Sequence, residues 1–387
     1  MAFCLALAGF LFSACGSKDA RAYDEGLSYF EQKNYPKARE CFLRSAELGN
    51  AKAQFYLGVL YENGYGVTLD QAQASEWFLK AAEQELAEAQ FNLGNVYRFG
   101  QGVNQDYEKA IEWYRKAAGQ GSAEAQYNLA RMCQDGLGMK TNRAEAVEWY
   151  RQAAEQNDLK SQYNLGCIYR DGDGVKQDYV ESHTWFLKAA EQGDASAQKC
   201  LAALYAEGRG VEKDLAKSAE WCRKAAVQGD ADAQSYLGDL YATGMGVEQD
   251  YGKALEWYKK AVAQGNASAQ RSLGFLYNRG QGVKQDHAKA AEWYRKAAEQ
   301  GDARAQCMLG GMYIEGVGVK QDNAKALEWI EKSAKQGNAD AQVLLAGLYL
   351  EGVGVKADPL KAMGWLKKAA DQGDEMAKVA LEQLMTE

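Results

Sequence analysis

The sequence predicts an all-α fold, a right-handed superhelical α/α solenoid of 36-residue helix–turn–helix repeats. Three observations carry that prediction. The dipeptide Ala-Gln occurs at 53, 89, 125, 233, 269, 305 and 341, with Ser161-Gln162 and Ala197-Gln198 completing a series spaced by 36 residues. All nine Trp, from Trp77 and Trp113 to Trp365, follow the same interval. Gly numbers 40 and Pro only 2, which suits many turns between helices and few breaks within them. Nine units therefore cover 51–86 through 339–374.

Taken in chain order, Ala2 to Ala14 form an uncharged apolar run followed by Cys15-Gly16-Ser17-Lys18-Asp19. The run falls short of the roughly 20 apolar residues that span a bilayer, and has the length of a signal-peptide core ending in small residues. Residues 15–22 read as a tether and 23–50 as a capping unit. In that unit Asn34-Tyr35-Pro36-Lys37-Ala38 joins two helices, and Cys41 takes the place that Trp holds in later units.

The first helix of each unit follows a capping residue: Asn50, Ser122, Asp158, Asp194, Asp230, Asn266, Asp302 or Asn338. Such oxygens accept from free N–H groups of the first turn, worth about 1 kcal/mol each. Ala53, Leu57, Leu60 and Tyr61 then share one face of a helix. Gly58 and its counterparts remove a side chain where a neighbouring helix can approach. A Gly-x-Gly-Val turn ends the helix at 64–67 and recurs in each unit, varied only at Gly136-Leu137-Gly138-Met139. No strand precedes these glycines, so they predict left-handed turns rather than a phosphate loop.

Asp70, and eight counterparts including Asn142, open the second helix as caps. Ala74, Trp77, Phe78, Ala81 and Ala82 are expected to form its buried face. Gly121 and its counterparts end it, with Glu85 and Asn157 as exceptions. Residues 375–387 read as a closing helix over the apolar face of the ninth unit.

Composition narrows function. With 47% apolar residues the chain can bury a core, which excludes wholesale disorder. A net charge of −8 without a Lys/Arg block speaks against nucleic acid. Two His, His183 and His287, leave little for metal or acid–base chemistry near neutral pH. No cofactor, metal site or catalytic residue is expected, and the acidic residues recur as caps rather than as paired carboxylates.

The repeating pattern Ala-x-x-x-Leu-Gly-x-x-Tyr-x-x-Gly-x-Gly-Val-x-x-Asp-x-x-Lys-Ala-x-x-Trp-Tyr-x-Lys-Ala-Ala-x-x-Gly resembles the Sel-one-like repeat (SLR) family, relatives of the tetratricopeptide repeats. Ala89 to Gly121 and Ala269 to Gly301 match it almost throughout. The unit 23–50 is more similar to an ordinary tetratricopeptide repeat. Phe12-Ser13-Ala14-Cys15 resembles a bacterial lipobox, with Phe12 where Leu is usual. That resemblance implies a lipoprotein signal over 1–14, lipidation of Cys15, and an extracytoplasmic protein held to the bacterial membrane through that anchor alone. A secreted protein is the alternative.

The family resemblance implies an interaction scaffold without enzymatic activity, binding a protein or peptide partner on a concave surface. Positions equivalent to 55, 59 and 62 lie opposite the core on the first helix and differ between units. Their N-terminal members offer the candidate surface: Phe55, Phe91, Tyr127 and Tyr163, with Arg98, Arg131 and Arg170 nearby. Aromatic and Arg side chains are favoured binding anchors. Secreted relatives staple each unit with a cysteine pair, whereas Cys41, Cys133, Cys167, Cys200, Cys222 and Cys307 fall at scattered phases. A full disulfide ladder is not expected. The competing readings are a soluble secreted or cytosolic adaptor and, from another class, an envelope-acting hydrolase such as one that opens β-lactams.

Overall fold

A computed structural model describes residues 20–386 and shows helices joined by turns, with no strand among the described residues. The signal over 1–14 and Cys15 lie outside the described residues. The chain divides into two compact units, one ending at Gln192 and the other beginning at Gly193.

The N-terminal unit begins with α1 (residues 20–31) and α2 (Tyr35–Glu47). Four helix pairs follow: α3 (Ala51–Asn63) with α4 (Gln71–Glu83), α5 (Ala87–Phe99) with α6 (Tyr107–Gly119), α7 (Ala123–Asp135) with α8 (Arg143–Glu155), and α9 (Leu159–Asp171) with α10 (Tyr179–Glu191). The C-terminal unit holds five pairs: α11 (Ala195–Glu207) with α12 (Leu215–Val227), α13 (Ala231–Thr243) with α14 (Tyr251–Ala263), α15 (Ala267–Arg279) with α16 (His287–Glu299), α17 (Ala303–Glu315) with α18 (Asn323–Lys335), and α19 (Ala339–Glu351) with α20 (Pro359–Asp371). α21 (Glu375–Thr386) follows, and its Leu381 lies against the apolar cluster of α19 and α20. Within each unit every helix packs on the next, the signature of an all-α solenoid whose core is built between neighbours.

The expected caps are in place. Asn50 accepts from the Ala53 N–H at 2.9 Å, and Asp106 from the Lys109 N–H at 3.0 Å. Leu86 starts α5 with the same extended backbone and no side-chain cap. First helices end on a left-handed Gly, as at Gly64 with φ of 69°. The second Gly of the turn meets the preceding repeat: a Cβ on Gly66 would stand 2.7 Å from Cβ of Tyr35 at the start of α2. The turn thus sets the spacing between repeats as well as reversing the chain.

The recurring Gln ties helix to helix. Gln162 is fully buried; its Nε2 donates to the Ala154 carbonyl of α8 at 3.1 Å, and its Oε1 accepts from Gln192 at 2.7 Å. The same pair of bonds recurs at Gln54 with Ala46 and Gln84, and at Gln306 with Ala298 and Gln336. A buried amide with both ends satisfied therefore explains why Ala-Gln repeats.

One expectation is corrected. Trp77 and its counterparts fill the core only in part: Trp185 is buried in it, at 4% exposure, and the other eight are half-buried, as Trp77 and Trp113 are at the edge of their apolar clusters. Lys80 lies 4.1 Å from the Trp77 ring centre, and Lys224 lies 3.7 Å from that of Trp221. The cation met by this stripe is intramolecular. The large core side chain is the next residue, Phe78, Tyr114, Tyr150, Phe186, Tyr258 or Tyr294. It lies flat on the small residue of the first helix, so a Cβ on Gly58 would come 2.6 Å from the Phe78 ring. Gly26 faces Phe42 in the same way, at 2.7 Å, giving the shorter unit before residue 50 the same internal joint.

Candidate functional site

The first helices bring the variable positions to one face in each unit. In the N-terminal unit the four candidate aromatics lean on the core ring of their own repeat. Phe55 lies 5.8 Å from Phe78, Phe91 6.0 Å from Tyr114, Tyr127 5.9 Å from Tyr150, and Tyr163 5.8 Å from Phe186. All four are half-buried, so each has one side in the core and another toward solvent. Phe55 and Phe91 meet at one open cleft of ≈ 560 Å³, with Glu88, Asn92, Ser122 and Glu124 around it.

The three arginines are not part of that cleft. Phe91 and Arg98 are seven residues apart on α5, a rise of roughly 10 Å along the axis. Arg98 donates to Asn128 Oδ1 at 3.2 Å and covers the Phe99 ring at 5.0 Å. Arg131 pairs with Asp135 at 3.7 Å and Arg170 with Asp171 at 2.7 Å. These exposed pairs add little stability, but they occupy charges that the sequence offered as anchors.

The C-terminal unit holds a larger cleft, away from the aromatic and arginine positions that the sequence singled out. It is open, ≈ 750 Å³, and is bounded by Asp239 of α13, Tyr258 of α14, Arg271, Ser272 and Phe275 of α15, and Tyr294 of α16. Its origin is a substitution in the aromatic row. Ser235 and Arg271 stand where Phe91 and Tyr127 stand in the other unit, so Tyr258 and Tyr294 carry no aromatic lid. Asp239 is the only acid among the nine residues of its phase, which run from Val59 to Gly347; that was the available signal.

Tyr258 donates to Asp239 Oδ1 at 2.6 Å and Ser272 to the same oxygen at 3.1 Å. Burial pushes the Asp239 carboxyl above its ordinary range, outweighing those two bonds and the neighbouring Arg271, which act in the opposite direction. Arg271 turns away from it: Nε donates to Asp302 at 3.2 Å and Nη2 to Ser268 at 2.8 Å. A smaller cleft of ≈ 370 Å³ lies between Lys199, Ala203 and Cys222, where a thiol replaces the core ring of other repeats. Lys199 at its edge pairs with Asp230 at 2.9 Å.

Cys41, Cys133, Cys222 and Cys307 are buried free thiols. Burial pushes Cys222 up to about 12 and Cys133 and Cys307 up to about 11, far from the thiolate that attacks or binds metal. Among the described residues no three His, Cys, Asp or Glu gather as metal ligands, and no helix is long and apolar enough to cross a membrane. The geometry is that of surface clefts on a repeating framework, fit for contact with another molecule.

Comparison with known proteins agrees with this framework. The Sel1 repeat matches ten consecutive segments: 17–50, 51–86, and onward in steps of 36 to 339–374. The first match counts the shorter N-terminal unit as a repeat, in keeping with its Gly26–Phe42 joint. A protective antigen present in uropathogenic Escherichia coli strains, displaying an SLR fold, is 39% identical; the alignment covers 89% of this chain and 82% of that one, with a TM-score of 0.70. A Sel1 repeat protein from Oxalobacter formigenes is 35% identical, covering 80% of this chain and 89% of that one, with a TM-score of 0.67. No curated protein matched the chain at a significant level. Sequence period, helix pairing and these matches agree, and the chain belongs to the Sel1 repeat family.

Proposed function

We propose that the protein is a non-enzymatic adaptor that holds a peptide or extended protein segment along the face of its first helices. Sel1 repeat proteins are generally protein-interaction scaffolds, and this one keeps its repeat constant while varying the residues of one face. The observation that carries the reading is the placement of those variable positions. Phe55 and Phe91 border a cleft in one unit, and Asp239 and Phe275 border a cleft in the other. Half-buried rings held from behind by core rings are rigid anchors that lose little freedom on binding.

Site-specific photocrosslinkers test it in cells. A crosslinker at Phe55 or Asn92 is expected to capture a discrete partner that one at Glu112, on the solvent side of α6, does not. Replacing Phe91, Arg98 and Tyr127 together, with circular dichroism unchanged, is expected to abolish the capture. Full retention of capture by that variant, or the same products from all three positions, would sink the reading.

The same proposal places the protein outside the bacterial cytoplasm, anchored by lipid on Cys15, on the strength of Phe12-Ser13-Ala14-Cys15 after an apolar run. Cells fed a labelled fatty acid are expected to label the wild-type chain and not Cys15→Ser. Equal absence of label from both would favour the soluble adaptor.

A further inference from the structure

Asp239 poses a question that its hydrogen bonds do not answer. Its Oδ1 accepts from Tyr258 at 2.6 Å and from Ser272 at 3.1 Å. In the N-terminal unit the equivalent residue is Asn95. There, Tyr114 donates to Asn95 Oδ1 at the same 2.6 Å, and Asn128 adds a bond at 3.4 Å. At these two places the tyrosine hydroxyl takes one acceptor oxygen, and in the N-terminal unit a neutral amide supplies it. A carboxylate adds a charge that burial penalises.

The second oxygen is where the two sites differ. Asp239 Oδ2 takes no hydrogen bond from the described residues, and Asp239 borders the ≈ 750 Å³ cleft. The nearest guanidinium, on Arg271, is held by Asp302 and Ser268. Phe275, one repeat further at the same phase, stands beside Asp239 on the touching helix α15 and is 42% exposed. Arg304 and Asp340 lie at the far end of the cleft. Asp239 and Asp340 balance Arg271 and Arg304 in charge, and Arg279 lies over the Phe275 ring at 5.8 Å, so the case for a donor rests on the one carboxylate oxygen, Asp239 Oδ2, that the cleft leaves without one.

We infer that this cleft is a specificity pocket for a basic side chain of the bound peptide, whose guanidinium or ammonium donates to Asp239 Oδ2 while its aliphatic stem lies along Phe275. The inference rests on the adaptor reading above and names the chemistry of one position in its partner. A charged donor on a half-buried carboxylate offsets the cost of burying it, and a charge-assisted bond is stronger than a neutral one. The long apolar stems of Arg and Lys suit a pocket with an acid at one side and an exposed ring at the other.

The test uses the full chain and two blocked tripeptides, acetyl-Ala-Arg-Ala-amide and the same peptide with citrulline, the neutral counterpart of Arg. Ligand-observed NMR titrations measure both. The Arg peptide is expected to bind saturably and about tenfold more tightly than the citrulline peptide, as loss of a charge-assisted bond implies. Asp239→Asn, which keeps the acceptor for Tyr258 as Asn95 does for Tyr114, is expected to bind both peptides alike with an unchanged circular dichroism spectrum. Equal binding of the two peptides by the wild type, no binding of either, or undiminished preference in Asp239→Asn would each overturn the inference. The adaptor reading is judged separately, by crosslinking from Phe55 and Asn92 in the other unit.

Discussion

At the scale of the residue, the most regular side chains are those that carry the joints between helices. Gln162 satisfies a carbonyl at the end of α8 and is itself satisfied from the end of α10. Gln162→Leu removes both bonds at once: the Gln192 amide loses its acceptor, and the Ala154 carbonyl keeps only the Asn157 N–H at 3.0 Å. It is expected to cost about 1–3 kcal/mol in urea unfolding. Gln162→Glu is expected to cost more, because a carboxylate still accepts from Gln192 but meets the Ala154 carbonyl without a proton to donate. A measured order of Leu worse than Glu would show that filling the space matters more than the bonds. The recurrence of Ala-Gln was plain in the sequence; its purpose was not, because the donor at Gln192 and the acceptor at Ala154 lie in other helices. Trp shows the reverse. Its fixed phase next to Ala-Ala suggested the core, yet the ring is long enough to lie across the rim under a Lys, and the enclosed place goes to the residue after it.

At the scale of the element, helix pairing rests on matching a small residue with a large one. Gly58 receives the Phe78 ring and Gly238 the Tyr258 ring, whereas Ala202 stands with Cys222 and Ala346 with Leu366. Ala130 with Tyr150 shows that a methyl group and a ring can be fitted together when neighbours adjust. Gly58→Ala is therefore expected to cost about 1–2 kcal/mol, at the low end of overpacking penalties. Phe78→Cys alone leaves a cavity, costing about 3 kcal/mol. The double variant recreates the Ala202–Cys222 pairing and is expected to cost less than the two singles together. Additive costs in a double-mutant cycle would mean that the pairing is incidental. The turns, caps and helix bounds of these elements were legible because each is set by residues adjacent in the chain. The C-terminal cleft was not legible as a place. It arises where Ser235 and Arg271 fail to cover two rings that belong to other helices.

At the scale of the whole molecule, the caps that start its helices also set its response to acid. Backbone N–H groups of the first turn hold Asp106, Asp250, Asp286, Asp322 and Asp358 below the ordinary carboxylate range, helped by a Lys three residues on. A group whose folded pKa is depressed contributes stability above its unfolded value of about 3.9, and that contribution is lost as pH falls through the folded pKa. Asp239 and Glu62 have the opposite sign, since burial raises both. Their ionisation opposes folding in full above the raised pKa, and the penalty fades as pH falls from the raised pKa to the unfolded one, below which it is gone. With Asp171, which Arg170 holds down, six depressed carboxylates against two raised ones predict a melting temperature that is level from about pH 8 to 5 and falls below about pH 4. Within that curve, Asp239→Asn is expected to melt higher than the wild type at pH 7, with the difference shrinking toward zero as the pH approaches 3. Thermal melts of both proteins across that range check the two signs together. A wild type that grows more stable below pH 4 would refute the role given to the caps. A variant that melts lower than the wild type at pH 7 would mean that the carboxylate of Asp239 supports the fold, and its charge would then need no ligand to explain it.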